Sequence, residues 1–348
     1  MTDQPTSLET DQRWMRRALE LGAKGVGFTS PNPAVGAVIV AENQVLGEGY
    51  HRRAGLGHAE VEAIADARGR GHSDFRTATI YITLEPCSTA GRTGACADAL
   101  IKEEFQEVVY GSVDPNPAHA GRADSKLRRA GIVVRSGILQ SECDYLIRDF
   151  RKFILTGRPY VVAKAGMTVD GYLTLPPGEG QWITSEEARE DAMKLRFQSD
   201  AILVGGQTVR TDNPKLTLRG KHAQMGKTQP LRIVLSRAGD IDPKAHLYSD
   251  EFSDRTRTMV GEREPESVLD ELGSDGVMNL LIEGGGDIHG SFLGSGLVDE
   301  LVLYVAPKIG FDGVSVSGSL QAMPSKSWRF ADVERVGEDL RITALPLK

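Results

Sequence analysis

The chain contains only three cysteines, Cys87, Cys96 and Cys143, in 348 residues. Three cannot form a paired disulfide framework, and in a reducing compartment cysteines at motif spacing serve more often as metal ligands or catalytic groups. Long apolar runs are also missing. No stretch approaches a membrane span, and the N-terminal "MTDQPTSLETDQRWMRR" lacks the apolar centre of a signal peptide, so a cytoplasmic protein without a membrane partner is expected. Basic clusters are the third absence. Net charge is −7, and no segment gathers the cations that neutralise a phosphate backbone, which disfavours a nucleic-acid partner.

The composition that remains is that of an ordinary globular protein, 40% apolar and 26% charged. The length exceeds what one hydrophobic core serves, so two domains are expected. Apolar residues at helical spacing predict a helix over residues 11–24. Strands are predicted at "AVGAVIV", "QVLGEGY", "TATIYITL", "EVVYGSV" and "GIVVRSG", with helices from about His58, from about Cys96 and at "ADSKLRRA". This alternation implies an α/β layer. A helix over "SECDYLIRDFRKFILTG" stops at Gly157 before Pro159, and the domain boundary is placed there, giving domains 1–157 and 158–348. Beyond it, strands "YVVAKAG", "AILVGG", "LRIVLS", "VMNLLIEGG" and "ELVLYVAP" alternate with helices from about Ser185, Glu266 and Asp287.

"GHAEVEA" places His58 and Glu60 at H-x-E spacing at the expected helix start. Residues two apart do not share a helix face, so both can address one metal only if His58 sits in the frayed first turn. Cys87 of "LEPC" and Cys96, nine residues on, supply two thiols. Cys96 opens a helix, whose dipole is expected to lower its pKa. One imidazole, two thiolates and a water make a zinc site of the catalytic kind. Glu60 then serves as the proton shuttle of a hydrolytic deamination and is not a ligand. Cys143 reads as a small buried residue.

"SPNPAVGAVIV", "GEGYH", "GHAEVEA", "YITLEPCSTAGRTGACADALI" and "VDPNP" resemble, in order and spacing, the deaminase domain of the bifunctional riboflavin-biosynthesis deaminase-reductase family. That family keeps a longer loop between its zinc cysteines than nucleic-acid deaminases do. The resemblance implies a cytidine-deaminase-like α/β/α fold and a small-molecule substrate, a ribosylamino-pyrimidine phosphate, contacted by Asn32, His51, Arg92, Asp114 and Asn116. Thr89 stands where the family has histidine, and Gly94 and Ala95 where it has Pro-Pro.

"AKAGMTVDGYLTLPPGEGQWIT", "LRFQSDAILVGGQTVRTDNPKLTLR" and "LIEGGGDIHGSFLGSGLVDELVLYVAPK" resemble the same family's reductase domain, which implies a dihydrofolate-reductase-like fold and NADPH. By that resemblance Gly166, Trp182, Thr208, Asp212, Ser236, Gly285, Gly286, Asp287, Ile288, His289, Gly290 and Ser291 contact NADPH. Lys164, Gly180, Thr184, Arg196, Leu216, Arg219 and Glu283 contact the substrate. Arg196 and Arg219 are expected to clamp its phosphate, and Lys164 to polarise the reducing centre. Gly180 replaces a serine common in the family, and Leu235 an aspartate. Family habit and exposed edges suggest a homo-oligomer. On charge and cysteine spacing, a cytidine or tRNA adenosine deaminase with an appended domain is the weaker alternative; retention of Glu60 argues against a non-catalytic nucleotide sensor.

Overall fold

The computed structural model describes residues 7–89, 94–176, 178, 182–318 and 327–347. The chain forms two compact units, Met1–Thr156 and Gly157–Lys348.

The first unit runs α1 (Ser7–Ala23), β1 (Gly36–Ala41), β2 (Gln44–Tyr50), α2 (Ala59–Gly69), β3 (Thr79–Leu84), α3 (Cys96–Lys102), β4 (Glu107–Ser112), α4 (Arg122–Arg129), β5 (Val133–Ser136), α5 (Gln140–Leu146) and α6 (Arg148–Thr156). Its sheet has the order β2-β1-β3-β4-β5. The β1–β2 and β1–β3 pairs are antiparallel; β3, β4 and β5 run parallel. Successive β1 side chains alternate between faces, as a strand requires. Ala37 and Ile39 join Ala63, Ile64, Leu100 and Leu127 of the helices on one side. Val38 and Val40 join Trp14, Met15, Ala18 and the buried Cys143 on the other. The result is the expected α/β/α layering.

Helix α2 lies close on β2 because β2 carries glycines: a Cβ on Gly49 would stand 2.3 Å from the Ala63 backbone nitrogen. That contact fixes the helix whose start bears His58 and Glu60. The single helix expected over "SECDYLIRDFRKFILTG" is broken at Ile147, whose φ of −107° and ψ of 21° turn the chain while its side chain is fully buried.

The second unit runs β6 (Tyr160–Thr168), α7 (Glu186–Gln198), β7 (Ala201–Gly205), α8 (Gly206–Asp212), α9 (Lys221–Gln224), β8 (Leu231–Ser236), α10 (His246–Ser249), β9 (Thr256–Val260), α11 (Pro265–Ser274), β10 (Asn279–Ile282), α12 (Gly286–Ser295), β11 (Glu300–Ala306), β12 (Trp328–Val336) and β13 (Asp339–Pro346). Its sheet has the order β12-β13-β11-β6-β10-β7-β8-β9. The six strands from β11 to β9 are parallel and β12–β13 is an antiparallel hairpin. Both faces are covered, as parallel sheets require. Val268, Leu269, Leu272 and Phe292 of α11 and α12 pack on one side; Ala188, Val209 and Leu247 of α7, α8 and α10 pack on the other. The sequence reading lacks β9, whose "TRTMV" is short and half polar, and the β12–β13 hairpin, whose "WRFADVERV" is largely exposed.

Candidate active sites

In the first unit the chemistry gathers where α2 and α3 begin. His58 is the N-cap of α2, with φ −71° and ψ 163°, so it lies just outside the helix and clears the face problem that H-x-E spacing posed. Its Nδ1 is 3.2 Å from Cys96 Sγ and 3.6 Å from Cys87 Sγ. The three ligand atoms lie within 4.8 Å of one another. Glu60, 3% exposed, stands beside the cluster, close enough to Cys87 and His58 for their charges to act on its carboxyl group. Burial, followed by the neighbouring Cys87 charge, raises its pKa above the ordinary carboxyl value.

At the start of α3 a backbone donor faces the other cysteine. The backbone N–H of Cys96 donates to Cys87 Sγ at 3.2 Å, so the helix start stabilises the Cys87 thiolate. The Cys96 thiol, His58 and this N–H hold Cys87 below the ordinary thiol range against its burial, while the Cys87 sulfur and burial push Cys96 up.

His51 and Asn32 stand beside this cluster. The His51 Nδ1–H donates to the Gly57 carbonyl at 2.9 Å, which leaves Nε2 to accept from Asn32 Nδ2 at 3.1 Å. The His51 ring meets the His58 ring edge-on at 5.4 Å. Burial lowers the pKa of His51, so the ring is neutral and fixed in one tautomer. Asp114 is half-buried, and desolvation raises its pKa; its Oδ1 accepts the Asn116 N–H at 2.8 Å. Arg92 and Gly180 lie outside the described residues.

In the second unit the chemistry collects at the carboxyl ends of adjacent parallel strands, where open α/β sheets bind ligands. Lys164 lies on β6 and Glu283 follows β10; Lys164 Nζ is 3.5 Å from Glu283 Oε2. Arg196 of α7 donates from Nε and Nη2 to the two Glu283 oxygens at 2.7 and 2.8 Å, and from Nη1 to the Thr217 carbonyl at 3.2 Å. Three of its five N–H donors are thus engaged within the protein. Burial, then the neighbouring Arg196 and Arg189 cations, lower the pKa of Arg219, the mark of a spot crowded with positive charge.

The residues expected around the cofactor divide by environment. Gly285 N-caps α12, and a Cβ there would meet only Thr208 Oγ1, at 3.6 Å. Ser236 ends β8, and its Oγ accepts from the Gly239 N–H at 3.1 Å. Asp212 is the last residue of α8. Trp182, which core packing would bury, is 56% exposed, with the Arg189 guanidinium 4.7 Å from its ring centre. Thr184 touches the position a Gly166 Cβ would take, at 3.2 Å. Leu216 is buried in the core, so only its backbone, at φ +50°, can face a ligand. Ile288 packs against the core, and Gly286 and Gly290 are buried; Asp287 and Ser291 share α12 with them. His289 is 1% exposed, with neither ring nitrogen partnered among the described residues.

Residues 159–342 match the RibD C-terminal domain, and residues 8–112 match the cytidine and deoxycytidylate deaminase zinc-binding region. The riboflavin biosynthesis protein RibD of Escherichia coli strain K12 is 37% identical over 95% of this chain and 98% of its own length; that of Aquifex aeolicus is 38% identical over 96% and 98%. The chain belongs to the RibD family. The solved RibD of Acinetobacter baumannii superposes with a TM-score of 0.86 at 33% identity, covering 98% of this chain and all of that one. A diaminohydroxyphosphoribosylaminopyrimidine deaminase/5-amino-6-(5-phosphoribosylamino)uracil reductase from Thermotoga maritima gives 0.85 at 31% identity, with the same coverage. As a RibD-family protein the chain is a bifunctional enzyme of riboflavin biosynthesis, a zinc deaminase and an NADPH-using reductase.

The residues present fit both groups. Zinc bonds of about 2.0 Å to nitrogen and 2.3 Å to sulfur space tetrahedral ligands by about 3.5 Å, close to the His58–Cys96 and His58–Cys87 separations. For NADPH the telling residue is Gly285. Packing demands glycine at 284 and 286, where a Cβ would lie 2.6 Å from Ile288 Cβ and 2.3 Å from the Ser315 carbonyl oxygen, but not at 285. Bare Cα there leaves the α12 amides open to a close-lying ligand. Among the described residues no helix is long and apolar enough to cross a membrane.

Two residues near the expected sites escape sequence reasoning. Arg189, one turn into α7, reads as a surface cation, yet its guanidinium lies over Trp182 and its Nη1 donates to the Thr184 carbonyl at 2.6 Å. Glu85 reads only as part of the "LEPC" run, yet it is buried with four backbone donors on its carboxylate.

Proposed function

We propose that residues 1–157 hydrolyse the exocyclic 2-amino group of 2,5-diamino-6-(ribosylamino)-4(3H)-pyrimidinone 5'-phosphate. Residues 158–348 then reduce the ribosyl side chain to give 5-amino-6-(ribitylamino)uracil 5'-phosphate. The observation that carries the first step is the buried Glu60 carboxyl beside His58, Cys87 and Cys96. His58, Cys87 and Cys96 hold zinc, which when bound supplies a water activated for attack at neutral pH. Glu60 takes the proton of that water and delivers it to the departing amine. Its raised pKa suits a group that must both accept and release a proton. Asn32, locked against the neutral His51 ring, has its carbonyl oxygen left for the pyrimidine edge, and Asp114, Asn116 and Arg92 complete the recognition.

In the second unit NADPH supplies the hydride, held along Gly166, Trp182, Thr208, Asp212, Ser236 and the start of α12 from Gly285 to Ser291. Lys164 holds a proton near the sugar C1 region, kept in place by Glu283. Arg219 and Arg196 suit the phosphate, with Arg196 held in place by Glu283 and Thr217. Gly180, Thr184 and the Leu216 backbone line the same substrate. A homo-oligomer in the cytoplasm is the setting the reading assumes.

The test is a coupled assay on the full chain: ammonia release from the diaminopyrimidine ribotide and NADPH oxidation on pre-deaminated substrate, with zinc measured alongside. Glu60→Gln is expected to keep its zinc and its NADPH oxidation and to lose ammonia release by about 10²–10⁴-fold. A wild-type protein that binds zinc and releases no ammonia would sink the deaminase reading.

A further inference from the structure

Glu85 follows the last residue of β3 and stands two residues before the zinc ligand Cys87. Its side chain is removed from water, the residue being 3% exposed, and a buried carboxylate persists only when hydrogen-bonded. Among the described residues, every hydrogen-bond partner of its carboxylate is a backbone N–H of one stretch of chain. Oε2 accepts from Asp114 at 3.3 Å and Gly121 at 3.0 Å; Oε1 accepts from Ala123 at 3.1 Å and Asp124 at 3.5 Å. Glu85 also donates its own N–H to the Ser112 carbonyl at 2.8 Å.

Three of those donors belong to the start of α4. Gly121 is its N-cap, in the left-handed region at φ +72°, and has no side chain with which to cap. The orphan amides of the first turn are instead satisfied by a carboxylate from another strand, with the sign the helix dipole favours. The remaining donor is Asp114 itself. Asp114 Oδ1 in turn accepts the Asn116 N–H, and Asn116 Oδ1 accepts the Ala118 N–H at 2.9 Å. One carboxylate thus joins the segment that bears Cys87 to the segment that bears Asp114 and Asn116.

We propose that Glu85 is a positioning residue of the deaminase: by clamping the 114–124 segment onto the Cys87 strand, it sets the distance from the substrate-recognising side chains to the metal centre. This rests on reading Asp114 and Asn116 as substrate contacts. Glu85 touches no reacting atom and leaves the ligand set intact, so its loss should weaken the grip on substrate more than the chemical step. Misplacement of about 1 Å is enough to matter in a positioned site.

The experiment uses the full chain. Glu85→Gln keeps the shape but turns an NH₂ group towards backbone N–H donors, breaking part of the clamp. The expected result is full zinc content, a KM for the diaminopyrimidine ribotide raised about tenfold or more, kcat within about threefold of wild type, and unaltered NADPH oxidation on pre-deaminated substrate. A double variant with Asp114→Ala should show a KM increase well below the product of the two single effects, because Glu85 acts through that segment. If Glu85→Gln does not fold, the same ratio is read in Glu85→Asp, which keeps the charge on a shorter arm. Unchanged KM overturns the proposal, as does a fall in kcat that tracks zinc loss, which marks a purely structural role. Absence of ammonia release in the wild type strikes the deaminase reading instead, and is seen before any variant is compared.

Discussion

Arg196 lays its guanidinium edge along the Glu283 carboxylate, Nε to Oε1 at 2.7 Å and Nη2 to Oε2 at 2.8 Å, with the Lys164 ammonium 3.5 Å from Oε2. All three side chains are largely removed from water, Glu283 at 7% and Arg196 at 13% exposed. Burial opposes ionisation of Glu283, but the Arg196 and Lys164 cations outweigh it and hold the carboxyl far below its ordinary range. The two cations and one anion leave this corner positive, which suits an anionic substrate.

Removing the anion from that group leaves two buried cations facing each other. Glu283→Gln is expected to destabilise the second unit by about 3–5 kcal/mol, the usual penalty for orphaning a buried charge. NADPH oxidation on pre-deaminated substrate should be lost, while ammonia release and zinc content persist. Thermal unfolding followed with both assays checks this; a second unit of unchanged stability would show that water or Thr217 compensates and that the triad is not a unit.

How much of this could be read beforehand depends on where the chemistry resides. His58, Glu60, Cys87 and Cys96 are legible because their side chains act themselves, at a spacing set by two helix starts. Glu85 is not, since its partners are backbone N–H groups of residues 114–124, which leave no side-chain signature. Arg196 could be found but not its pairing with Glu283, because only the fold brings the two together across 87 residues. The buried parallel strands are visible as apolar runs, whereas the edge strand β9, half of it polar, and β12, with its exposed and charged side chains, draw their order from pairing with β8 and β13. The break at Ile147 is decided by burial of that side chain, which periodicity alone does not encode.

His289 links the reductase site to pH. Burial and the Lys164 ammonium push it down to about 4, and its ring is 1% exposed. The unfolded chain, with an ordinary pKa near about 6.5, binds a proton in this window that the folded chain refuses, so stability rises with pH there. The contribution is intact above about pH 6.5 and is lost progressively as pH falls towards about 4. His289→Asn is expected to flatten the decline of second-unit stability between those limits by roughly 2–3 kcal/mol. Denaturant unfolding at a series of pH values measures it; parallel curves for wild type and variant would show that the ring is protonated in the fold.

Gly285 separates packing from ligand binding. Its backbone, at φ −74° and ψ −179°, is open to any residue, and a Cβ would reach only Thr208 Oγ1 at 3.6 Å. Gly285→Ala should therefore fold normally: the weaker N-cap and the reduced freedom of the unfolded chain are each below about 1 kcal/mol and oppose one another. The methyl group would instead stand where the glycine run lets a cofactor approach the α12 amides. The expected outcome is a melting temperature within about 2 °C of wild type, with the KM for NADPH raised about tenfold or more and ammonia release unchanged. An unaltered KM would move the cofactor away from the start of α12, towards the carboxyl ends of β7 and β8. A fall in kcat at unaltered KM would mean that Gly285 guards the approach of substrate to cofactor rather than the seating of the cofactor itself.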